Sequence, residues 1–196
     1  MRLSDETYEE IKEEVINLFE EYDIRCTPIC GFEIALKMGI TLIPYSSLSD
    51  KKYTIALKSS EDGFLFVKDF REYIYYNDKK RYGRVNMTIL HEIGHLALGH
   101  PDTMNQDEAE AEASFFAKYA VAPPPLVHKF KPESFKDIMK HFDITKEAAG
   151  NAWEYYLNWL NYGQKTYTSY EKRLLYIFKD DLTHDTSGFY TSTICS

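Results

Sequence analysis

One pentapeptide limits this chain more than any other feature: His91-Glu92-Ile93-Gly94-His95. On a helix, residues four apart project from one face, about 40° apart, so His91 and His95 aim two imidazoles at one point. Two such rings suit a tetrahedral Zn²⁺, whose nitrogen ligands lie at about 2.0–2.1 Å. Glu92 projects about 100° around from His91, close enough to lean on a metal-bound water without ligating the ion. Zinc brings the pKa of that water toward about 7, and a carboxylate so placed takes its proton. A shuffled chain of this composition shows H-E-x-x-H roughly 0.02 times, so chance is a poor account of it. The flanking Leu90, Ile93, Leu96 and Leu98 supply the apolar surroundings of a buried helix. The pattern predicts helix over residues 86–98, stopped by Gly99 and Pro101.

A catalytic zinc site commonly takes three protein ligands and keeps one position open. His100 lies five residues after His95, about 140° around the helix and beyond its end, so supporting duty is expected of it. A metzincin would place its glycine at 98 and its third histidine at 101, where this chain has Leu98 and Pro101. The acidic helix predicted over residues 106–120 is the other source. Glu108 and Glu112 share a face there at i and i+4, with Glu110 expected to point away. Spacing alone does not choose between Glu108 and Glu112.

The rest of the chain reads as α+β. An amphipathic helix is predicted to about Tyr22, capped by Ser4 or Asp5, with Ile11, Val15, Leu18 and Phe19 on its buried stripe. The segment GFEIALKMG follows as a second helix stopped by Gly39. ITLIPY, YTIALKS, GFLFVKDF and REYIYYN are rich in β-branched and aromatic residues. They predict a small, twisted, mostly antiparallel sheet packed on the helices. Pro123-Pro124-Pro125 is the best candidate boundary, followed by helices over 134–141, 145–160 and 170–178. No structure is predicted for 185–196.

Charge and cysteine usage exclude several classes. A net charge of −8 argues against a generic nucleic-acid binder, which needs clustered Lys and Arg. Cys26, Cys30 and Cys195 are too few for a disulfide framework. The acidic, amphipathic start is unlike a signal peptide, and no apolar run reaches the roughly 18 residues a membrane span needs. A cytoplasmic protein without membrane association is expected.

The combined motifs resemble the ImmA/IrrE family of metallopeptidases. The likeness rests on IYYN at 74–77, RVNMT at 84–88, HEIGHLALGH at 91–100 and EASFFAKYAVAP at 112–123. The last is similar to the family signature E-A-N-x-F-A-x-x-L-L-M-P, with Ser114 in place of Asn. In that register the resemblance makes Glu112 the third zinc ligand, beside His91, His95 and the catalytic Glu92. It implies a thermolysin-like zincin core over 1–125 with one catalytic Zn²⁺, and the proline boundary leaves a helical C-terminal region and tail over 126–196. It also implies a substrate strand pairing with the sheet edge near Tyr73–Asn77, which makes Tyr75 and Asn77 substrate-binding candidates. The implied substrate is a helix-turn-helix transcriptional repressor, cleaved to release a mobile element or stress genes. His128, Tyr119 and Tyr82 are candidates for steadying the oxyanion.

Two other classes compete with a protease. One is a zinc-binding regulator that acts by protein contact without cleavage. The other is a DNA-binding regulator working through residues 134–160, whose helix–turn–helix outline lacks exposed cations in its second helix.

Overall fold

Thirteen elements follow one another in a computed structural model that describes residues 2–100, 103–163 and 166–181. Helices α1 (Asp5–Glu21) and α2 (Gly31–Met38) lead into strand β1 (Thr41–Pro44), a 3-10 turn (Tyr45–Ser47) and helix α3 (Asp50–Ser59). Strands β2 (Gly63–Lys68) and β3 (Arg71–Tyr76) then form a hairpin ahead of α4 (Tyr82–Ala97) and α5 (Gln106–Val121). Four helices complete the fold: α6 (Pro124–Phe130), α7 (Phe135–His141), α8 (Lys146–Tyr162) and α9 (Ser169–Ile177). This is the expected α+β class. Residues 185–196 and Cys195 lie outside the described residues.

The sheet order is β1-β3-β2, with β2 antiparallel to β3 and β1 parallel to it. A parallel neighbour cannot be reached by a tight turn and needs a crossover. Here α3 and β2 together supply it. That demand explains one departure from the sequence expectation, since YTIALKS, predicted as a strand, lies in α3. Only Ala56 of that helix is buried and Ile55 is exposed, so its β-branched residues make no sheet face.

The helices follow their local signals closely. Ser4 caps α1 by accepting the Thr7 N–H at 3.0 Å, and Ile11, Val15, Leu18 and Phe19 are buried as expected. Thr145 caps α8 by accepting the Ala148 N–H at 3.1 Å, and Ser134 closes a capping box with Asp137 on α7. The proline run starts α6, consistent with the tolerance of proline in a first helical turn. Buried side chains from Leu3 to Phe178, including Ile89, Phe116, Leu126, Phe142 and Leu174, form one continuous core on both sides of residue 125. Among the described residues, no helix is long and apolar enough to cross a membrane.

Candidate metal centre

Helix α4 buries Val85, Ile89, Leu90 and Ile93 against the core and turns His91 and His95 toward a cleft. Helix α5 lies along it, burying Ala113, Phe116, Ala117 and Ala120. Gly94 sets their separation, because a Cβ at that position would meet the Phe116 ring at 3.1–3.2 Å. The cleft encloses about 850 Å³ between α4, α5 and the backbone of β2.

Three of its lining side chains converge. The two Nε2 atoms of His91 and His95 stand 3.2 Å apart. Glu110 brings Oε2 to 3.2 Å from His91 Nε2 and Oε1 to 3.6 Å from His95 Nε2. Two ligands about 2.05 Å from a tetrahedral ion stand about 3.3 Å apart, close to each of these separations, the two from Glu110 being made by its two different oxygens. All three ligand atoms lie within 4.8 Å of one another. The donor set therefore fits one divalent ion with a position left open toward the cleft.

The glutamate is not the one expected. Glu110, assigned to the far side of its helix, faces the histidine pair, and the structure does not bring Glu112 there. Glu112 instead places Oε2 at 3.1 Å from His100 Nε2. The face of α5 that meets the cleft runs through Gln106, Glu110, Ser114 and Lys118, each four residues after the last. That face follows from how α5 crosses α4, which helical spacing within α5 alone does not contain.

Burial sets the protonation states. It pushes His91 below the ordinary histidine range, and burial together with the neighbouring His91 pushes His95 down to about 4. Both rings are thus neutral near pH 7, the form that ligates metals. Glu92 is 8% exposed, and burial pushes it up to about 7 against the opposing pull of a hydrogen bond. That bond comes from the Leu65 N–H, which donates to Glu92 Oε2 at 2.9 Å. A carboxyl poised near neutrality beside a metal position is suited to accept and return a proton.

The same bond identifies the usable sheet edge. Leu65 spends its N–H on Glu92 and Gly63 spends its own on Ser60 Oγ at 3.1 Å, so neither donates to β3. By the alternation of an antiparallel ladder, Gly63, Leu65 and Val67 turn their backbone groups outward along the cleft. The edge expected near Tyr73–Asn77 is therefore elsewhere, because β3 is the central strand. Tyr75 stacks on Phe64 with ring centres 5.0 Å apart. Asn77 is buried, donating its side-chain amide to Glu61 O and its N–H to Asp62 O. The three oxyanion candidates also stand outside the cleft lining. His128 bonds the Tyr156 hydroxyl at 2.9 Å, Tyr119 is buried, and the Tyr82 hydroxyl donates to Cys30 Sγ at 3.5 Å. The Leu65 N–H had no signal in the sequence, since any residue carries a backbone donor.

Comparison with known proteins gives a family. The family model for the IrrE N-terminal-like domain, peptidase M78, matches residues 37–154. Searches of curated proteins and of solved structures find no match to the chain. The family match takes in the whole sheet, both cleft helices and every residue of the histidine–glutamate triangle. It also spans well over half of the sequence, and the chain accordingly belongs to the peptidase M78 family.

Proposed function

We propose that this protein is a zinc-dependent, site-specific endopeptidase whose ligands are His91, His95 and Glu110 and whose general base is Glu92. The observation that carries this reading is the joint placement of a tetrahedron-sized ligand triangle and a buried carboxyl beside an outward-facing strand. A zinc ion held there supplies Lewis acidity to the scissile carbonyl and makes water a stronger acid. Glu92 takes the proton from the attacking water and returns it to the leaving amine. The Leu65 N–H holds the Glu92 carboxylate toward the cleft. A substrate in extended conformation pairs with the outward carbonyl of Leu65 and the outward N–H and carbonyl of Val67, which lays its peptide bonds across the triangle.

The substrate class carried over from the ImmA/IrrE resemblance is a helix-turn-helix repressor. The test compares new protein N-termini in host cells expressing wild type or Glu92→Gln. Metal content should survive the substitution while cleavage falls by roughly 10²–10⁴-fold, the usual contribution of a general base. A regulator cut only by the wild type supports the reading and identifies the bond. Matching profiles from both proteins, including under DNA-damaging stress, would reject it in favour of a regulator that acts by contact.

A further inference from the structure

Two polar side chains beside the triangle have no role in the mechanism above, yet both are largely covered there: 7% of the His100 side chain and 14% of the Glu112 side chain are exposed. Their placement begins with the end of α4. Gly99, at φ 62°, reverses the chain in the left-handed region that favours glycine. The Gly99 N–H then bonds Leu96 O at 3.1 Å and the His100 N–H bonds His95 O at 3.2 Å. This pair of bonds is a Schellman motif, which folds the second residue past the helix back over the residue five before it. An apolar contact often fills that space. Here it holds two imidazoles, with His95 Nδ1 and His100 Nδ1 2.9 Å apart.

The hydrogens in this chain of contacts follow from what each group can do. An ionised carboxylate only accepts, so the bond at 3.1 Å requires that His100 Nε2 carry the hydrogen and donate to Glu112. A neutral imidazole with its hydrogen on Nε2 has a lone pair on Nδ1. With His100 in that neutral form His95 donates from Nδ1, which leaves the lone pair of His95 Nε2 facing His91 and Glu110. We propose that Glu112 and His100 are positioning residues. Together they form a carboxylate–imidazole relay that fixes His95 in its metal-binding tautomer and orientation. The proposal rests on the zinc reading above and gives Glu112 a role distinct from ligation. On the other histidine, the Ser114 hydroxyl lies 3.5 Å from His91 Nδ1.

The test uses full-length protein and zinc, with affinity measured by competition against a chromogenic chelator. The tautomer of His95 is read by long-range ¹H–¹⁵N correlation in the zinc-loaded state. His100→Leu removes both partners and should weaken zinc binding by about 10- to 100-fold, the usual cost of losing a metal ligand's outer hydrogen bond. His100→Gln offers an amide oxygen to His95 and an amide hydrogen to Glu112, and should recover most of the affinity. Glu112→Gln should cost less than Glu110→Gln, which removes a ligand. Melting of the metal-free variants reports whether each is folded, and His100→Gln keeps the test open if His100→Leu is not. The relay is overturned if wild type binds zinc while His100→Leu binds it equally well with an unchanged His95 spectrum. It is also overturned if Glu112→Gln loses as much affinity as Glu110→Gln, which would make Glu112 a ligand. A wild type that binds no zinc overturns the protease reading itself, and the relay with it.

Discussion

The cleft and the contact between α1 and α9 are both rich in carboxylates, but they treat them differently. Along α1, three acidic groups, Glu9, Glu13 and Glu20, find donors. Arg173 reaches Glu13 at 3.3 Å and Glu20 at 2.9 Å and also donates to Asn17, while Tyr170 and Lys12 both donate to Glu9. Burial alone would raise the Glu9 pKa, yet Lys12 and Tyr170 outweigh it and hold that carboxyl below its usual range. In the cleft, Glu92 and Glu110 face each other and two neutral rings, and Glu92 moves in the opposite direction, up to about 7. One region completes its charge balance from within the chain. The other is arranged to receive a cation from outside, and the family match includes the cleft but leaves out both α1 and α9.

The largest expected effect separates the two regions by metal. Zinc at a thousand times its dissociation constant should stabilise the protein by about 4 kcal/mol, the gain expected of a ligand taken up by the folded state alone. Calorimetry before and after chelation checks this, and Glu110→Gln should remove much of the gain. Equal gains in wild type and Glu110→Gln would break the comparison by placing the metal elsewhere.

The next effect concerns Glu92 in the metal-free protein. Its folded pKa lies above the 4.5 of an ordinary glutamate, so the fold prefers the protonated form. The stability that this preference contributes is present in full below pH 4.5 and is lost as pH rises through about 7. Glu92→Gln stays neutral throughout and should exceed wild type by roughly 3 kcal/mol at pH 8, following about 1.36 kcal/mol per pH unit. The gap should close on acidification below pH 4.5 in urea unfolding followed across pH. A gap of constant size would show that Glu92 is not strained by burial.

The smallest effect belongs to the paired region. Tyr170→Phe removes the hydroxyl that Glu9 accepts and should cost about 1.5 kcal/mol at neutral pH, with zinc affinity unchanged. A clear loss of zinc affinity would show that the two regions are coupled through α5.

Much of this was legible from the sequence, and the misses share a cause. His91, Glu92 and His95 could be read because one helix carries all three and its period fixes their directions. The cap at Ser4, one of the two candidates, could be read because a cap is a local hydrogen bond. Glu110 could not, since the side of α5 that meets α4 depends on how alanines and Gly94 let the two helices cross. The sheet edge was misplaced for a similar reason. REYIYYN reads as a strand, but only the crossover through α3 makes it the central one. His100 looked remote on a helical wheel, and the Schellman turn returned it to His95.

The two glutamates of α5 have a consequence for movement. Residues two apart on a helix project about 200° from each other, so Glu110 and Glu112 leave α5 on nearly opposite flanks. One is held by the histidine pair and the other by His100, as a spindle is held between two jaws. Rolling α5 about its own axis in either direction would strain both contacts at once, so a change of helix rotation at α5 is coupled to both histidine contacts.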